Sequence, residues 1–281
     1  MNNNDMTKGN VFRALLYFTM PLIFAGLLQQ LYYIVDSIIV GNLISEEALA
    51  AIGVSSPVLN VFIFVTTGLF SGYTILVSQY YGAKEYKKVS ELSNTFFFFI
   101  MASALIVSLL GFICKEDILK WLHTPMDILE PSKDYLAIVF IGIPFLVLYN
   151  FCSSMLRSIG DSKTPLYSIV LSTIVNIVLD LVFIKVFYWG IKGAAIATVI
   201  AQMLSCMYLI VFIYRRYPMF GISFKKDMIN FSLFNESMKL GMPRVIQSSI
   251  ASVGSLLLQN VMNSFGTDVV TAITTAYKID T

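Results

Sequence analysis

The chain has 281 residues, of which 57% are hydrophobic and 13% charged, with a net charge of +2. At a mean hydropathy of +0.76, that much apolar surface cannot be hidden in a soluble domain, so the class is integral membrane protein. The small, dispersed charge gives nucleic acid no footing as a partner, and Cys114, Cys152 and Cys206 are too scattered for a disulfide framework or a metal site.

A bilayer core of about 30 Å needs about 20 apolar residues of helix. Seven runs qualify, roughly 13–41, 50–81, 92–114, 134–156, 164–187, 193–214 and 241–264. They are continuous rather than alternating, which predicts helices and not a barrel. The first carries Met20-Pro21, then Gln30, Tyr32, Tyr33 and Asp36. The second carries Gly68 and Gly72, a small-xxx-small face read as a packing seam. Residues 115–133 predict a short amphipathic helix on the outer surface, with the lone His123 lacking a second ligand. Helix five holds Asn176 and Asp180, and helix six holds Thr198. Residues 215–240 form a basic bridge. With the N-terminus cytoplasmic, 13 of the 19 Lys and Arg fall on the inner side, the bias expected of a multi-pass inner-membrane protein.

Helix seven is similar to helix one. Met242-Pro243 repeats Met20-Pro21 at an offset of 222 residues, and an acidic turn with a small, apolar run follows each helix. A duplicated bundle is a recurring transporter plan. The predicted fold is therefore all-α: a six-helix lobe (1–214), an inter-lobe linker (215–240), and helix seven with the start of a second lobe (241–281). On this reading the chain is a fragment; a natural seven-helix protein is the competing expectation.

Asp36 and Asp180 are the carboxylates that lie well inside spans. Such a charge costs roughly 2.5–3.5 kcal/mol at the bilayer centre, so it defaults to a functional hypothesis. Helix one runs outward and ends near Gly41, placing Asp36 roughly 8 Å below the outer end at 1.5 Å per residue. Asp180 falls at a comparable depth in helix five, with Asn176 one turn before it on the same face. Thr198 falls in the same layer on helix six. These oxygens suit a hard cation such as Na⁺, or a proton, because two nearby desolvated carboxylates do not readily both stay charged. Tyr32, Tyr33 and Gln30 are candidates for an apolar and aromatic cavity wall. No Walker A, dinucleotide or HExxH motif is present, which weakens an enzyme reading.

The stretches "MPLIFAGLLQQLYYIVDSIIVG", "SQYYGAKEYKKV", "RSIGDSKTPL", "NIVLDLVF" and "GAAIATVIAQ" resemble the multidrug and toxic compound extrusion (MATE) family. The resemblance implies twelve helices in two six-helix lobes that export organic cations and other amphiphiles against Na⁺ or H⁺; a monomer with no cofactor beyond the coupling ion is expected. It implies a cation site at Asp36, Asn176, Asp180 and Thr198, the set grouped by depth. Tyr135 and Asn150 on helix four match polar positions of the first lobe's cavity, and Pro21 matches a helix-one proline at which bending is proposed. Residues 243–264 carry no carboxylate, and Leu258 stands where the repeat would place an acid equivalent to Asp36. The alternatives are a flippase for lipid-linked saccharides, which would call for inward cations, and a seven-helix receptor or sensor.

Overall fold

The computed structural model describes residues 11–220 and 228–280. Its helices are α1 (Val11–Leu43), α2 (Glu46–Gly82), α3 (Tyr86–Trp121), α4 (Met126–Ser158), α5 (Lys163–Asp180), α6 (Gly190–Arg216), α7 (Phe231–Asn263) and α8 (Thr267–Asp280). A π-helical turn, Leu181–Val186, continues α5. Seven of the helices are long and apolar enough to cross a membrane, so the protein is multi-pass. No strand occurs among the described residues. "Inner" below means the end of the bundle where α1 begins.

Local chemistry sets the helix starts. Ser45 accepts from the Ala48 N–H at 3.2 Å, and Glu46 and Glu47 occupy the positive first turn of α2. Asp161 opens α5 by accepting from the Lys163 and Thr164 N–H groups at 3.1 and 3.0 Å and from Thr164 Oγ1 at 2.7 Å. Asp161→Ala should therefore cost about 0.5–2 kcal/mol, read as a lower thermal midpoint in detergent with the helix content retained.

The expected surface helix at 115–133 does not form. α3 runs on to Trp121 and α4 begins at Met126. Leu119, Leu122 and Ile128 are fully buried between the two extensions, while Glu116 pairs with Lys120 at 2.9 Å and Lys133 at 3.3 Å. The charges pair with one another along a longer hairpin. Its tight turn places His123 at φ 53°, and His123 Nδ1 lies 3.0 Å from the Asn260 amide. Helix seven also starts earlier than expected, at Phe231 inside the 215–240 bridge; residues 221–227 of that bridge lie outside the described residues. α1 and α7 each span 33 residues and contain Pro21 and Pro243 respectively.

α4 packs against α2, α3 and α6, while α1 lies on α5 and α5 on α6. The core between α2, α3 and α4 is aromatic. Tyr73 and Phe96 stand 4.8 Å apart, Phe151 stacks on Phe96 at 6.2 Å, and Tyr73 Oη meets Ser93 Oγ at 2.8 Å. Cys152 and Cys206 are free and buried and behave as small hydrophobes.

α7 docks along α2 through the glycine face. A Cβ on Gly72 would stand 2.1 Å from the Ser237 carbonyl oxygen, and one on Gly68 would stand 2.7 Å from the Val245 nitrogen. Polar contacts pin both ends of α7. At the inner end Asn230 donates to Glu91 Oε2 and, through its backbone, to Thr95 Oγ1, both at 2.8 Å. At the outer end Asn260 and Asn263 donate to the Trp121 and Leu122 carbonyls, both at 2.6 Å.

Candidate cation site in the first lobe

The interior of the first lobe gathers polar groups from α1, α5 and α6. Asp180 and Asn176 are fully buried, one turn apart on α5. Asp36 reaches across from α1 to within hydrogen-bonding distance of Asp180. Turned with its nitrogen toward Asp180, the Asn176 amide donates to Oδ2 at 2.8 Å and accepts from the Thr198 N–H at 3.3 Å. The oxygen end of that amide is also 3.4 Å from Thr198 Oγ1. Tyr32 Oη approaches the same Thr198 hydroxyl at 3.4 Å. Tyr135 of α4 is within electrostatic reach of both carboxyls.

The four residues grouped by depth are thus neighbours. Tyr32, expected only as cavity wall, joins them directly. Of the other cavity candidates, Tyr135 is within electrostatic reach of both carboxyls and Tyr33 of Asp36. Tyr33 is 43% exposed and accepts from Gln29 Nε2 at 3.3 Å. Gln30 is half-buried on α1. Asn150 bonds back to the Leu146 carbonyl at 2.9 Å and lies fifteen residues beyond Tyr135, about 22 Å along the helix. Pro21 is buried within an α1 that runs continuously through it. Arg157, at the inner end of α4, donates to Ser153 Oγ at 2.8 Å.

The arrangement is unusual for a buried acid. Among the described residues Asp180 makes no ion pair, and its Oδ1 meets no N–H or O–H donor. Its surroundings hold a second carboxyl, the Thr198 hydroxyl and the Asn176 amide, which presents its oxygen to Asp180 in the opposite turn of the side chain. Oxygen donors of this kind match a hard cation in place of a thiolate- or imidazole-seeking metal.

A family model described as MatE matches residues 21–182, the stretch that runs from Pro21 through Asp180. The chain belongs to the MATE family. This is a family of transporters, not enzymes. The chain is 33% identical to the "Probable multidrug resistance protein YpnP" of Bacillus subtilis, over 100% of this chain and 62% of that protein. It is 25% identical to the "Multidrug export protein MepA" of Staphylococcus aureus, over 92% and 57% respectively. Among solved structures, a MOP superfamily transporter from Pyrococcus furiosus, described as having a binding pocket of reversed polarity and a different function, superposes with a TM-score of 0.87 at 21% identity. That match covers 100% of this chain and 62% of that one. An inward-facing multidrug resistance MATE transporter superposes at 0.81, also at 21% identity, over 89% and 57%. The chain therefore spans about three fifths of the length of these relatives, and at this identity the structural matches establish the MATE fold alone.

Proposed function

We propose that this MATE chain forms the ion-coupling part of a secondary active antiporter. Residing in the inner membrane with its N-terminus cytoplasmic, the protein would export small amphiphilic or cationic organic compounds in exchange for Na⁺ or H⁺. One observation carries the reading: a fully buried Asp180 faces Asp36 across the lobe and, among the described residues, has no basic partner. Two like charges in a dry bundle repel, at about 4 kcal/mol for unit charges 4 Å apart at an effective dielectric of 20. A shared Na⁺ or proton removes that repulsion; for Na⁺ the Asn176 amide turns its oxygen to the acids and Thr198 completes the set.

Occupancy then biases shape. When the pair is neutralised, α1 can close on α5; when both acids are charged, α1 is pushed away. Pro21, which lacks an N–H for the helix ladder, is the natural place for α1 to yield. A drug that prefers one of the two shapes is linked to the ion through that equilibrium. The names of the relatives, multidrug resistance and multidrug export, support the cargo class.

The test is efflux of a fluorescent organic cation from vesicles carrying the full-length protein, under imposed Na⁺ or pH gradients. An inward gradient of one of the two ions should drive efflux, and its collapse should stop it. Flux indifferent to both gradients would defeat the antiport reading.

A further inference from the structure

Immediately after Asp180 the chain leaves α-helical geometry. Residues Leu181–Val186 form a π-helical turn, in which the Phe187 N–H reaches back five residues to the Val182 carbonyl at 3.0 Å. The Trp189 N–H reaches back six, to the Phe183 carbonyl at 2.9 Å. Tyr188 and Gly190 then take left-handed φ values of 57° and 54°, the first of them disfavoured for a bulky side chain. A π turn is intrinsically poorer than an α turn and persists where its surroundings hold it.

Two sets of anchors hold it here. The inner part of α5 is fixed by the Asp161 cap and by the buried Ser168–Ser205 hydroxyl pair with α6, 2.6 Å apart. The outer part is fixed by an aromatic stack: Phe183 on Trp189 at 4.9 Å and Phe187 on Trp189 at 5.3 Å. Phe183 also backs onto Gly193 of α6, where an added Cβ would stand 3.0 Å from Phe183 Cβ and 3.2 Å from Trp189 Cβ. Phe187 and Trp189 are about half exposed, as interfacial aromatics are. One extra residue in the turn reconciles the two anchors. Asp180 before the turn and Ile184 within it are both buried.

We propose that the π turn, held by Phe183 and Trp189 against Gly193, is a positioning element that aims Asp180 at Asp36, Asn176, Thr198 and Tyr135. The inference rests on the antiport reading, and Phe183, Trp189 and Gly193 act through Asp180 without touching the ion.

The experiment uses the full-length protein in vesicles with whichever ion gradient drives wild-type efflux. Gly193→Ala presses on the wedge and Trp189→Leu removes the stack; Gly26→Ala, which meets nothing within 4 Å, is the control. Both wedge variants should raise the half-maximal driving-ion concentration about three- to tenfold, the scale of a sub-ångström misplacement. The KM for drug and the thermal midpoint should stay near wild type, as should every property of the control. Wild-type ion dependence in both wedge variants would overturn the positioning role while leaving antiport intact. Failure of both to fold would overturn it in favour of plain structural support. A wild type insensitive to either gradient would remove the antiport reading, and this inference with it.

Discussion

Replacing Asp180 by Asn is expected to reduce ion-driven efflux to the background of empty vesicles, a loss of about a hundredfold or more. The same substitution should leave the thermal midpoint unchanged or raise it. Asn keeps the size and most of the hydrogen bonding but removes a buried charge that faces another charge, so a desolvation cost and a repulsion disappear together. Activity and stability therefore move apart, which a purely structural Asp180 would not produce. Asp36→Asn should behave alike, and the double variant should be no worse than either single one, because the two acids act as one unit. A protein with Asp180→Asn that still couples efflux to a cation gradient would place the coupling elsewhere.

Gly72→Val should have the largest effect on assembly. The position lies where the Ser237 carbonyl of α7 approaches to 2.1 Å of an ideal Cβ, with the Gly241 nitrogen at 2.6 Å. Both are backbone atoms and cannot swing aside as a side chain would, so α7 must lift off α2. Overpacking of this kind costs about 1–3 kcal/mol or more. Thermal unfolding in detergent, with proteolytic release of the α7 segment as a second reading, should report it. Gly26→Ala should change neither. Equal midpoints for Gly72→Val and wild type would mean that α7 is not held by this seam.

The sequence exposed what is governed by burial and depth. A carboxylate in an apolar run must be near water or near a partner, and helix geometry converts its place in the run into a height. That reasoning put Asp36, Asn176, Asp180 and Thr198 on one level, and they do meet. It failed where long-range packing decides. Residues 115–133 look amphipathic because their charges recur among apolar residues, yet Leu119, Leu122 and Ile128 are buried between extended helices while Glu116, Lys120 and Lys133 pair with one another. Nothing in "LVFIKVFYWG" marks a π turn, because it arises from anchors that include Gly193 on another helix. Asn150 shares helix α4 with Tyr135 but not its level, which spacing along one helix could have indicated. Tyr32 lies one turn before Asp36, and that interval was the available signal for its place beside Thr198.

The docking of α7 also bears on how the polypeptide is assembled. Every group that receives α7 at its seam and at its two pinned ends, from Gly68 and Gly72 through Glu91 and Thr95 to Trp121 and Leu122, precedes it in the chain. During synthesis the berth is complete before its occupant emerges from the ribosome, so the seventh segment can be captured as it enters the bilayer without waiting for later ones. Docking of α7 is then a local, sequential step, the kind that spares a nascent membrane protein from misassembly.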